Sequence, residues 1–391
     1  MTDTSLRQTP RLSFSQACSG RLEQHALTAP LASGTPADAV ARMCGAHAQV
    51  MTAAEWSIGL RLAGSRKEDI QAALWTERSL VKTFGPRGTV HMLPAADLPQ
   101  WTAALTALSR RPASLANTFL TPDQADEVIA AIGAAVPAAE LTVDELGQAV
   151  IAQCGPWAGD PVIPAFNGMW PRWRQALSLA GARGVLCFGP GRDRNVTYTS
   201  PRTWLPGFQP AVPGGAALEW LVTQYLTAYG PATPKQFGQW LGAPRPWAAD
   251  LFGSLAGRLR EVELEGTTAW LPGENPIPTV DADGVRLLPY FDPYVVGCHP
   301  RPSLFPGVAA ERGLNRTGQA GTKPVVLIDG LVGGLWHQQR SGRSIAITVE
   351  AFGQLTLGQQ TELAAEAARL GEFFSCACTM TLGSVTARSH L

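Results

Sequence analysis

Lysine is almost missing from this chain. It occurs only at positions 67, 82, 235 and 323, so 27 of the 31 basic residues are arginine, and 31 acidic residues balance them to a formal charge of zero. A neutral chain exerts no global pull on nucleic acid or an anionic membrane, so any polyanion binding must come from where single arginines are placed. The planar guanidinium suits phosphates and base edges, although GC-rich coding also raises its share. Long apolar runs are missing too, and none approaches the roughly 18 residues that a membrane-spanning helix needs. The opening MTDTSLRQTPRLSFSQ lacks the apolar core of a secretory leader, which predicts a cytoplasmic protein. The seven cysteines, at 18, 44, 154, 187, 298, 376 and 378, are odd in number and scattered, which argues against a disulfide framework. Cys376-Ala377-Cys378 has no second pair nearby, so we read it as a strand turning two small residues to one face and expect no metal. GxxxxGK[ST], HExxH and GxSxG are all absent.

What is present is apolar and periodic. With 391 residues, 45% of them hydrophobic and 16% charged, the chain can bury several cores. Thr35-Pro36-Ala37-Asp38 predicts a helix start, running to about Cys44 with Gly45 as a left-handed cap. Thr52-Ala53-Ala54-Glu55 has the form of a capping box for the next helix, along which Ala54, Ile58 and Leu62 make a buried stripe. Ser65-Arg66-Lys67-Glu68 opens a third helix. Two strand-like runs, SLVKTF and TVHML, follow, joined by Gly85-Pro86-Arg87-Gly88. Three short helices and a hairpin make a winged helix.

The grammar repeats. Thr142 and Glu145 box a helix in LTVDELGQAV, a second helix is expected over MWPRWRQALSLAGA, and GVLCFGPGRDRNVTYT makes a hairpin with Arg192 and Arg194 at its tip. Then come the helix AALEWLVTQYLTAYG, the box Thr233 to Gln236, the helix PWAADLFGSLAGRL and the hairpin REVELEGTTAWL. The Pro/Gly-rich stretches 205–215 and 271–278 mark boundaries. Beyond them, VRLLPYF, KPVVLIDGLVGGLWHQQ and RSIAITVEAF read as antiparallel strands, with Asp329-Gly330 as a tight turn and one helix, QQTELAAEAARLG, crossing to a last strand. A long loop between Val296 and Lys323 carries His299, Arg301, Arg312 and Arg316; loops of that length are functional or disordered. The expected fold is α+β: three tandem winged-helix units over 1–120, 121–208 and 209–275, then a β-rich C-terminal domain over 276–391.

Between the first two helices sits His47-Ala48-Gln49, polar where its flanks are apolar. Histidine can act as a base near neutral pH, and glutamine can hold a water but not take its proton. In an extended segment both side chains face one way and Ala48 the other. The same residues could equally satisfy orphan backbone groups at the two helix ends, and spacing leaves both readings open.

The chain resembles the winged-helix DNA glycosylases typified by AlkZ and YcaQ, bacterial enzymes that remove bulky alkylated purines and unhook interstrand crosslinks. The resemblance covers essentially the whole chain. It rests on MCGAHAQ (43–49), FGPRGTVHMLPAADLP (84–99), LCFGPGR (186–192), AYGPATPKQFGQWLG (228–242), LLPYFDPYVVG (287–297) and PVVLIDGLVGGLW (324–336). It implies three tandem winged helices with a β-rich C-terminal part and a catalytic Q-Φ-Q or Q-Φ-D element, Φ being aliphatic. The matching positions are His47, Ala48 and Gln49, with histidine in place of the first glutamine. The resemblance therefore implies His47 and Gln49 as catalytic residues. The nearest lysine in sequence, Lys67, lies beyond the next helix, so no Schiff base is expected and the reading is a monofunctional glycosylase without metal or cofactor. The expected partner is double-stranded DNA with alkylated purine lesions, with contacts from Arg87, Thr89, His91, Arg192, Arg194, His299 and Arg301. A cytoplasmic, nucleoid-associated monomer with no membrane contact completes the expectation. The alternative is a non-catalytic winged-helix DNA-binding or regulatory protein using RKEDIQAALWTE in the major groove, or a nucleoid or protein-interaction scaffold, which zero net charge would suit.

Overall fold

The capping signals locate most of the helices. In the computed structural model, which describes residues 9–109, 119–137, 139–165, 168–212, 214–273 and 275–386, Thr35 and Asp38 form the expected reciprocal box at the head of Pro36–Arg42. Thr142 with Glu145 does the same for Val143–Cys154, and Thr233 with Gln236 for Pro234–Leu241. Each box satisfies orphan N–H groups of a first helical turn. The first eight residues of the opening stretch, and positions 213 and 274 of the two boundary stretches, lie outside the described residues.

Three expectations need correction. Helix Met51–Gly59 starts with Val50 at its cap and no side-chain cap bond, so Thr52 lies inside the first turn. Glu55 is buried and pairs with Lys67 at 3.6 Å, which commits the carboxylate elsewhere than to a box. Ser65 precedes helix Lys67–Trp75, and its hydroxyl donates to the Gly59 carbonyl at 3.1 Å. Third, Met169–Pro171 is a strand paired with Pro161–Pro164, and helical structure starts only at Arg172. Pro171 biases Trp170 toward extended backbone, so the helix-like spacing there misleads.

The fold is α+β, and among the described residues the strands form three three-stranded winged-helix sheets, a five-stranded sheet and the small hairpin just described. In the first wing sheet Val90–Pro94 lies between the short strand Ala46–His47 and Leu80–Phe84. In the second, Asn195–Thr199 lies between Leu141–Thr142 and Cys187–Arg192; in the third, Leu259–Leu264 pairs with Thr267–Pro272 and, in parallel, with Arg11–Leu12. The C-terminal sheet runs Val285–Leu288, Val325–Ile328, Leu331–Ser341, Ser344–Ala351, Ala377–Leu382. Asp329 and Gly330 both have positive φ, the conformation a tight hairpin turn requires. The first four strands pair antiparallel, as those runs predict, and the last pairs in parallel. A parallel neighbour needs a crossover, and helix Leu357–Phe373 supplies it. The long loop is not structureless, since it carries the short helices Arg301–Leu304 and Val308–Gly313, just beyond Pro293–Gly297.

By internal contacts the chain forms two units, neither continuous in sequence. One comprises Met1–Ala46, Val50–Glu68 and Val222–Leu391; the other comprises His47–Gln49 and Asp69–Leu221. In the first, helix Phe14–Gln24 carries a further capping box, Ser13 with Gln16. Its buried Arg21 donates to the carbonyls of Tyr229, Gly230 and Pro231 at 2.9–3.2 Å. In the second, Val128, Ile132, Leu146, Val150 and Trp173 are essentially fully buried in one cluster. At about 1.5–3 kcal/mol per buried large apolar side chain, such a cluster fixes the frame on which the second unit's hairpins sit.

Candidate active site

The second unit takes only three residues from the elbow, His47, Ala48 and Gln49, and packs them with the first wing. The approach to the elbow explains why the chain turns there. Cys44 and Gly45 both have positive φ, 54° and 95°, which ends helix Pro36–Arg42 and throws the backbone into an extended path. The Ala48 N–H then donates to the Val90 carbonyl at 2.8 Å. Ala48 is 1% exposed, His47 half-buried and Gln49 exposed, the alternation expected of a strand. Among the described residues no hydrogen bond is made by the Gln49 amide.

His47 lies on a second histidine. Its ring centroid is 4.2 Å from that of His91, the planes tilted by 40°. His91 is 2% exposed, and its Nδ1 is 2.9 Å from the Thr89 carbonyl. A carbonyl only accepts, so Nδ1 carries the proton. Burial lowers the His91 pKa to about 3, so the ring is neutral at neutral pH. Gly85 makes room for it, because a Cβ there would lie 2.7 Å from His91 Nδ1. The wing turn is pinned by Gly85 N–H to Thr89 O (2.9 Å), Gly88 N–H to Gly85 O (3.0 Å) and the Thr89 hydroxyl to Pro86 O (3.0 Å).

Arg87 closes the group. Its exposed side chain has Nη2 3.4 Å from His47 Nε2, and its backbone φ is 58°. A guanidinium has only donors, so Nε2 is the acceptor and the neutral ring's proton sits on Nδ1. The His47 pKa lies well below the ordinary histidine value, from burial first and then from the neighbouring His91 and Arg87. His47 is thus a neutral base with a defined lone pair, two positions before the exposed Gln49. Such a group can accept a proton from a water molecule, and an exposed amide can orient one.

The other sequence candidates fall elsewhere. Arg192 and Arg194 are exposed at the second wing's tip, but Arg192 forms an ion pair with Glu145, the carboxylate of the Thr142 box. His91 and His299 are 2% and 7% exposed, and rings so buried offer little to a DNA surface. Arg301 donates to the carbonyls of Val295, Val296 and Cys298, satisfying orphan acceptors at the end of helix Pro293–Gly297. Both His299 and Arg301 belong to the first unit. His91's place beneath His47 was readable in outline. It is the register partner of buried Thr83, on the inward face of its strand. Lys82 lies on the wing, but its ammonium sits over the Phe188 ring, 4.8 Å from the centroid, on the strand face opposite Thr83.

Cys376 precedes the last strand and Cys378 lies in it; both are half-buried. Among the described residues no group of three His, Cys, Asp or Glu side chains could hold a metal ion, and no helix is long and apolar enough to cross a membrane.

Comparison with known proteins adds three findings. A family model described as "DNA glycosylase AlkZ-like" matches residues 40–373. A Streptomyces sahachiroi protein named "Interstrand DNA cross-link repair glycosylase" is 29% identical over 337 residues, covering 84% of this chain and 88% of that one. The solved structure of Streptomyces sahachiroi DNA glycosylase AlkZ matches with a TM-score of 0.80 at 25% identity, over 95% of this chain and 100% of the other.

Proposed function

Since the chain belongs to the AlkZ-like DNA glycosylase family, we propose that it is a monofunctional enzyme acting on bulky N7-alkylated purines in double-stranded DNA, interstrand crosslinks among them. The observation that carries this reading is a neutral His47 with its lone pair on Nε2, two positions before the exposed Gln49. Alkylation at N7 makes a purine cationic and a good leaving group, so little acid catalysis is needed. The enzyme must stabilise an oxocarbenium-like sugar and deliver water to C1′. The water oxygen bonds C1′ as the C1′–N9 bond breaks. The electron pair of that bond neutralises the departing purine, and the water proton passes to His47. Gln49 orients the water. Lys82 is engaged with Phe188, which favours hydrolysis to an abasic site over Schiff-base chemistry.

The named activity of the Streptomyces sahachiroi relative supports crosslinks as substrates. An arginine-rich, lysine-poor composition fits a high-GC genome, and we place the enzyme in the repair or self-resistance of a cell exposed to a DNA-alkylating natural product. We take it to act as a cytoplasmic monomer. The test is incubation with duplexes carrying N7-methylguanine, a bulkier N7 adduct and an N7-linked crosslink, scoring abasic sites. Base release from the bulky adduct is expected. Tight duplex binding without release from any of the three would refute the reading and favour a DNA-binding protein.

A further inference from the structure

The wing places its one exposed guanidinium-bearing residue, Arg87, on the very nitrogen that the proposed chemistry needs. In the protein alone, the Nε2 lone pair of His47 is occupied by the Arg87 Nη2 donor at 3.4 Å. A lone pair engaged in that bond cannot also accept a proton from water. Arg87 is nevertheless exposed, at the tip of a hairpin in a unit that belongs to a DNA-acting family. A guanidinium prefers the bidentate, charge-assisted grip of a phosphate to a long bond with a neutral imidazole. The turn holds Arg87 at φ 58°, a conformation that glycine would take more readily, and its neighbour Gly88 has φ 68°. Arginine sits there against the local backbone preference.

We propose that Arg87 is a latch on His47: its guanidinium occupies the Nε2 lone pair in the empty enzyme, and a phosphate of bound DNA draws it away, leaving the lone pair to the attacking water. Arg87 is then a positioning residue, and the elbow base is armed only when duplex is present. The proposal rests on the catalytic reading of His47, but its signature does not require catalysis. Arg87 and His91 are the charged or titratable groups that act on His47. His91 is held on its Nδ1 by the Thr89 carbonyl and stays in place, so Arg87 is the partner that can move.

The test is ring-nitrogen NMR of His47 in the full chain, assigned by the signal lost in His47→Gln, with an undamaged duplex as the probe. Without DNA the wild-type ring should show the Nδ1–H tautomer and a depressed titration. Adding duplex should release that tautomer and move the titration upward. Arg87→Ala should show the released tautomer and the raised titration before any DNA is added. Arg87→Gly suits the turn's positive φ and serves if the alanine variant folds poorly. Identical His47 tautomer and titration in wild type and Arg87 variants, or no response of wild type to duplex, would overturn the latch. A latch seen in a protein whose His47→Ala variant releases base at the wild-type rate would instead refute catalysis by His47 and leave the latch standing.

Discussion

Each of the two units holds a histidine whose ring nitrogen lies 3.4 Å from an arginine Nη2, and the two pairs differ in everything around that distance. In the first unit, His25 Nδ1 meets Arg61, and Arg61 forks the Asp292 carboxylate at 2.9 Å through both terminal nitrogens. The Ser57 hydroxyl (2.6 Å) and the Tyr294 N–H (3.0 Å) complete the carboxylate's shell, and the Arg61 and Asp292 side chains are fully buried. His25 Nε2 faces the Ala228 carbonyl at 3.0 Å and must be its donor. This cluster has nowhere to go. In the second unit, the His47–Arg87 contact is open to solvent and Gln49, two positions on, is exposed as well. The same two residue types act as internal cement where a carboxylate and burial fix them, and as an exchangeable pair where water and a polyanion can compete.

The sharpest way to break this contrast is to remove the exposed histidine and glutamine. His47→Ala and Gln49→Ala should each slow single-turnover base release by about 10²–10⁴-fold, with thermal stability and duplex affinity nearly unchanged. The two residues handle one water, so the double variant should cost less than the product of the singles. Activity within a few-fold of wild type for both would end the assignment. The mirror experiment is Asp292→Ala, which leaves a buried Arg61 without its carboxylate. Removing one partner of a buried pair costs about 3–5 kcal/mol, so the thermal midpoint should collapse. A fully stable Asp292→Ala variant would mean that the sealed cluster is not what holds its unit together.

How much of this contrast was legible beforehand differs between the units. The elbow and wing are local: a helix cap, an alternating triplet and a Gly-Pro-Arg-Gly turn within 50 residues, so the strand alternation around Ala48 could be read directly. The sealed cluster joins residues 25, 57, 61, 228 and 292, and nothing in the sequence marks Arg61 out from 26 other arginines. Asp292 was visible only as part of the LLPYFDPYVVG stretch. Arg21 and Arg301 likewise serve backbone carbonyls, a use that composition cannot separate from phosphate binding. Where local pattern failed, a nonlocal contact had taken the group, as with Glu55 and Lys67 in place of the Thr52 box.

Titration offers a second handle on both clusters. Burial lowers the His25 and His91 pKa values to about 3, against roughly 6.5 for an unfolded histidine. Between these values the unfolded chain binds more protons than the native one. The stability from keeping both rings neutral is therefore fully present above about pH 6.5 and is lost as pH falls toward 3. Urea midpoints measured from pH 7 to pH 4 should fall steadily. His91→Phe should remove one proton's share of that slope, about 1.4 kcal/mol per pH unit. A midpoint independent of pH over this window would show that neither ring is held neutral by the fold.

The second wing supplies the intermediate case, a carboxylate partner without burial. Arg192 pairs with Glu145, but the two side chains are 52% and 44% exposed, so the pair adds little to stability and can yield to a phosphate. Thr142 holds Glu145 in its capping box, so the carboxylate stays beside Arg192 and competes with DNA. Arg194, exposed at the same tip, has no ion pair among those found in the described residues. If exposure is what makes an arginine exchangeable, Arg194→Ala should weaken binding to lesioned and unlesioned duplex alike and reduce the salt slope by about one unit. Arg192→Ala should cost less than Arg194→Ala, and Glu145→Gln, which keeps the shape of the box but removes the charge, should tighten binding slightly. Base release at saturating protein should change little in any of the three, because the proposed chemistry belongs to the elbow. The measurement is duplex binding across a salt series beside saturating single-turnover kinetics. An unchanged salt slope in both arginine variants would mean that this wing does not meet DNA, and a larger loss for Arg192 than for Arg194 would mean that the carboxylate aims the guanidinium at a phosphate instead of withholding it.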